Sequence, residues 1–216
     1  MPEQIDYTGL EFNDKAIARG RAAGLDIVKQ SVQMRAEQAP GQYDVVCSFQ
    51  VLEHVTDVAG FVRGCVTLLK PGGTLILAVP AQDSFLALDP NGPLNMPPHH
   101  VIRWTDQALR NLALRENLSA VETWHEPVAD YHQGWRQEVL ARDWFVSMGL
   151  LGSGVQGRTF MSRVVNRLLR HDGLRARLAT WQARGFAYAD RGHSVVLVAR
   201  ASEVALGADD PRRQAA

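Results

Sequence analysis

The sequence predicts an α/β fold, a mostly parallel sheet with flanking helices and a helical insertion before the last strand. Short runs rich in β-branched residues alternate with stretches of helical periodicity along residues 6–124, and that alternation is how parallel strands are connected. The run TLILAV, 74–79, is continuously apolar except for its first residue and is stopped by Pro80, as expected of a strand covered on both faces by helices. Between the strand-like SAVETW at 119–124 and HSVVLVAR at 193–200 lies residues 127–191, a span that reads as helices.

Each element has its own local justification. DYTGLE at 6–11 is a short strand start, and Asn13 caps a helix from Asp14 to about Ala23 that Gly24 stops. LDIVKQSV at 25–32 reads as a second strand and APGQ at 39–42 as a turn, before the strand YDVVCSF at 43–49. From Thr56 to Leu69, apolar residues at Val58, Phe61, Val62, Cys65, Leu68 and Leu69 keep the helical period. Thr56 is the expected cap, and Lys70, Pro71, Gly72 and Gly73 end the helix. A proline-rich loop at 80–98 precedes a helix opened by Thr105 and Asp106, with Leu109, Leu112 and Ala113 on one side. In the insertion, Phe160, Met161, Val164, Val165, Leu168 and Leu169 form one stripe. Arg158, Arg163, Arg167, Arg170, Arg175, Arg177, Arg184 and Arg191 outnumber Asp172 and Asp190.

Composition narrows the function. The 216 residues suffice for one domain, and 23 basic residues balance 23 acidic ones, which gives no reason to expect nucleic acid as a partner. Two cysteines, Cys47 and Cys65, read as reduced core thiols and supply too few ligands for a metal, so no metal site is expected. The first residues lack a signal-peptide pattern, and the expected location is the cytoplasm.

Ligands of open parallel sheets lie beyond the carboxyl ends of the strands. Those ends are Glu11, Ser31, Phe49 with Gln50, and Pro80. A carboxylate in that place accepts two hydrogen bonds from ribose hydroxyls; alternatively Glu11 is a solvated residue that complements a helix start.

The stretches YTGLEFNDKAIARG (7–20), YDVVCSFQVLEHVTDVAGFV (43–62) and LLKPGGTLILAVP (68–80) resemble, in order and spacing, the class I S-adenosylmethionine-dependent methyltransferases, a Rossmann-like family. The resemblance implies S-adenosyl-L-methionine as cofactor, with Glu11 on the ribose and Phe12 beside the adenine. It places Ser31 and Val32 at the adenine, without the acidic residue common there, and Phe49 and Gln50 at the methionyl part. His54 is either a further cofactor contact or a satisfied histidine at a helix entrance. His99 and His100, in MPPHHVIRWT at 96–105, fall where the family puts its acceptor. Either could serve as the base that takes a hydroxyl proton, since histidine titrates near neutrality; the alternative is that the loop only shapes the rim.

The resemblance also exposes a gap. The family opens with a strand and a glycine-rich G-x-G-x-G loop, and this chain has neither, so its first strand corresponds to the family's second. The expectation is an N-terminally truncated methyltransferase-like domain over 1–202, with the insertion 127–191 as a lid, and a flexible tail at 203–216. A gene product that begins further upstream is favoured over direct pairing of strands 6–11 and 43–49. The expected activity is methylation of a small-molecule acceptor, an O-methylation of a sugar, lipid-linked or quinone-like compound, with peripheral membrane contact through the basic insertion as an added possibility. The alternative is a non-catalytic remnant that acts as an interaction module.

Overall fold

The computed structural model describes residues 5–92, 95–152 and 160–203. Six strands and seven α-helices follow one another as β1 Gly9–Leu10, α1 Asp14–Ala22, β2 Ile27–Val28, α2 Val32–Gln38, β3 Tyr43–Phe49, α3 Val58–Leu68, β4 Leu69–Pro80, α4 Asp106–Arg115, β5 Ser119–Pro127, α5 Gln133–Ser147, α6 Phe160–Leu168, α7 Asp172–Ala183 and β6 Arg191–Arg200. The α/β architecture with flanking helices is the expected one.

The strands form two sheets, not one. β1 and β2 pair in parallel with each other, and β3, β4, β6 and β5 form a second sheet in that order. β3 is parallel to β4, whereas β6 is antiparallel to both β4 and β5. The expectation of parallel strands therefore holds for β3, β4 and β5 and fails for β6. The reason is the insertion: the chain leaves β5 at Pro127 and re-enters β6 at Arg191, which pairs with that same Pro127. A connection that returns to the end from which it left must reverse the next strand.

Local chemistry places the helices. Asn13 Oδ1 accepts the N–H groups of Lys15 and Ala16 at the start of α1. Asp57, not Thr56, caps α3 through the N–H of Gly60. No loop separates α3 from β4; Lys70–Gly73, expected to end the helix, lie within β4 at a break in its register with β3, where Gly72 takes a φ of 72°. The strand expected over 25–32 shrinks to two residues because Ser31 accepts the Met34 N–H and starts α2.

The main core lies between β4, β6 and the helices, built on Leu75, Leu77, Val79, Val195, Leu197, Val62, Leu68 and Leu109. Val32 and Ala36 of α2 join it. Val32 sits against Gly64 of α3, where an added Cβ would meet Val32 at 3.3 Å, so α2 ties the small sheet's segment to the large one. The insertion has its own cluster, Ala141, Phe145, Val165 and Leu169. It docks through Val139 and Trp135 onto Phe85 and Leu86, in the turn after β4. Of the expected insertion stripe, Val165 and Leu169 face inward while Phe160, Met161 and Leu168 are exposed. Arg158 and most of the tail lie outside the described residues.

Candidate functional site

β3 delivers its last residues to the carboxyl edge of the large sheet. Gln50 follows it with a φ of 55°, a left-handed conformation that costs a non-glycine residue about 1 kcal/mol and is held in place here by its neighbours. Its N–H donates to Ala78 O at 2.8 Å. Its side-chain amide donates to Ser194 Oγ at 3.2 Å. Phe49 beside it is exposed, and so are Val45 and Val51. β3 pairs with β4 on one edge only among the described residues, so these apolar side chains flank an open strand edge.

The histidines expected to act separately are brought together. A 3₁₀ turn over Leu52–His54 follows β3, and the Val101 and Ile102 N–H groups donate to Glu53 O at 3.0 and 3.3 Å. These bonds bring the loop after β4 back onto the tip of β3. His54 Nδ1 lies 2.6 Å from His99 O, which assigns it the donor role. The His54 ring meets His99 and His100 edge-on at 5.5 and 5.0 Å, and His99 stacks on His100 at 4.8 Å. Burial, then the nearby His54 and His99, hold the His100 imidazole below the ordinary histidine value. The side chain of Glu53 is 1% exposed, and desolvation pushes its carboxyl above the ordinary glutamate value. The burial of Glu53 depends on the returning loop, which no local pattern in the sequence announces.

The small sheet carries the other expected residues. Glu11 Oε1 accepts the Phe12 N–H at 2.7 Å and the Asn13 N–H at 2.9 Å. These bonds, Asn13 first and then Phe12, hold its carboxyl below the ordinary range. Phe12 is exposed. Ser31 and Val32, expected at the adenine, are employed elsewhere: the Ser31 hydroxyl caps α2 and Val32 is packed in the core. β1 and β3 do not pair.

Another group was missed altogether. Glu126, His132 and His193 approach one another next to Ser194, whose hydroxyl is 3.3 Å from His193 Nε2. Burial first, then His132, lower the His193 value, and Glu126 opposes them. These residues come from the end of β5, the turn before α5 and the start of β6, too far apart in sequence for a spacing motif.

Both Glu11 hydrogen bonds fall on Oε1, which leaves Oε2 to accept from a ribose hydroxyl, and Gln50 marks a polar strand tip; these are the residues that would hold the two parts of the expected cofactor.

Residues 1–123 match the family described as "Methyltransferase domain". Among curated relatives, the ubiquinone biosynthesis O-methyltransferases of Yersinia pestis and Yersinia pseudotuberculosis are 34% identical, over 49% of this chain and 52% of theirs. The chain thus spans about half the length of the curated relatives it matches. Among solved structures, a SAM-dependent methyltransferase from Archaeoglobus fulgidus superposes with a TM-score of 0.56 at 14% identity, covering 91% of this chain and 76% of that one. A possible histamine N-methyltransferase from Thermotoga maritima gives 0.55 at 12% identity, covering 89% and 72%. With that family matched over residues 1–123 and the fold in agreement, the chain belongs to the class I S-adenosylmethionine-dependent methyltransferases, whose cofactor is S-adenosyl-L-methionine.

Proposed function

We propose that the chain acts in O-methylation of a small-molecule acceptor, with the His54–His99–His100 cluster receiving the acceptor hydroxyl. The observation that carries this reading is the convergence of the His54, His99 and His100 rings, with centroids 4.8–5.5 Å apart, where burial and the neighbouring imidazoles disfavour the protonated form of His100. The cofactor supplies an electrophilic methyl group on a sulfonium. The chain's own work is alignment and deprotonation, worth up to several orders of magnitude together. Glu11 Oε2 would hold the ribose and Gln50 the methionyl part of the cofactor, a ring nitrogen of His100 takes the hydroxyl proton, and the docked insertion keeps water from the acceptor. A quinone-like phenol is the favoured acceptor, because the ubiquinone biosynthesis O-methyltransferases are the relatives at 34% identity. The exposed Phe160, Met161 and Leu168 of α6, beside Arg163, Arg167 and Arg170, favour an acceptor reached at a membrane surface.

A second reading rests on the edge of β3 that is open among the described residues: a domain that keeps the fold and binds without catalysis. Methyl transfer from labelled S-adenosylmethionine to a catechol-type phenol separates the two. The enzymatic reading predicts turnover that falls by about 10²–10⁴-fold in His100→Ala. Equal turnover by wild type and variant would remove His100 from the reaction, and no turnover at all would favour the second reading.

A further inference from the structure

Glu126, His132 and His193 each bring one ligand atom within 4.8 Å of the others. Glu126 Oε1, His132 Nδ1 and His193 Nδ1 are buried. His193 Nδ1 and Glu126 Oε1 face each other at 2.8 Å as an ion-pair contact, while His132 Nδ1 has no hydrogen-bond partner. A cation held between the three would serve the unpartnered nitrogen and the carboxylate together.

The surroundings fit that role. His193 turns its second ring nitrogen, Nε2, to Ser194 Oγ at 3.3 Å, the outer-shell contact that fixes the tautomer of a ligating histidine. His132 is braced by Tyr131 and Trp135, with ring centroids at 4.2 and 5.7 Å. The backbone is adapted as well. The β5–β6 register breaks between His125 and Pro127, and a Cβ on Gly192 would lie 2.5 Å from Glu126 Cγ, so only glycine lets that carboxylate close on His193.

We infer that Glu126, His132 and His193 form a binding site for a divalent transition-metal cation of the zinc class. Two imidazoles and one carboxylate from three separate elements are a ligand set that leaves a coordination position open. Bonds of about 2.1 Å in a tetrahedron put ligand atoms roughly 3.4 Å apart, and side-chain adjustments on the order of 1 Å achieve this. Ser194 Oγ also receives the Gln50 amide, so the site adjoins the tip of β3. The cysteine count gave no hint of it.

The test is a Co²⁺ titration of the full chain after chelator treatment, read by visible absorption and by metal stoichiometry. The site predicts one Co²⁺ per chain with ligand-field bands, displaced by Zn²⁺. Affinity falls at least about tenfold in His132→Ala, in His193→Ala and in Glu126→Gln, the last of which keeps the side chain's size. His100→Ala binds as wild type does. Absence of stoichiometric uptake by the wild type would overturn the inference, as would uptake undiminished in a folded Glu126→Gln or lost in His100→Ala.

Discussion

His100 shows how position turns an ordinary imidazole into a candidate base. Its folded value lies below the unbound 6.5, so the fold favours the neutral ring. Protons bind more readily to the unfolded chain, and stability falls as pH drops from about 6.5 through the lower folded value. His193 adds to the same trend. Thermal midpoints measured from pH 7.5 to 5.5 are expected to fall less steeply in His100→Gln than in wild type; parallel curves would contradict the shift. Gly192 makes a second prediction at this scale. Gly192→Ala places a methyl group 2.6 Å from Glu126 O and 2.8 Å from Pro127 O, and backbone cannot yield as a side-chain tip does. A loss of about 1–3 kcal/mol in denaturant unfolding is expected. Individual residues were legible in the sequence where the strand-end rule located them, as with Gln50. Ser31, expected to end the second strand, instead caps α2, where its hydroxyl accepts the Met34 N–H; a serine before helix formers suits either role.

Among the elements, β4 bears most of the packing. Leu75, Leu77 and Val79 are fully buried, and Leu77→Ala is expected to cost about 2–5 kcal/mol in urea unfolding, since the surrounding sheet cannot collapse into the space. β3 is its counterpart with one edge unpaired among the described residues. Gln50 N–H donates to β4, so by the two-residue period Ser48 does the same while Cys47 and Phe49 point their amides outward. Hydrogen exchange should run faster at Cys47 and Phe49 than at Ser48 and Gln50; uniform protection would mean that the edge is covered. The helices α3 and α4 and the strand β4 could be read directly, because each carries a one-sided or continuous apolar pattern long enough to exclude the alternatives. α2 could not, since Val32, Ala36 and Ala39 are a narrow stripe of small residues. The reversal of β6 was equally hidden, because strand direction is set by where the insertion returns, not by the composition of HSVVLVAR.

In the whole molecule, the two sheets meet through α2 and α3 while β1 and β3 remain unpaired with each other. The run of alternating elements announced the large sheet, whereas the separation of the strands into two sheets was not legible. Function depends on whether the tips at Glu11 and Gln50 act on one ligand. Calorimetry of the full chain with S-adenosylhomocysteine, for wild type, Glu11→Ala and Gln50→Ala, decides it. Micromolar binding that each substitution weakens about tenfold or more is the predicted result; no detectable binding, or binding indifferent to both changes, would contradict a shared cofactor site.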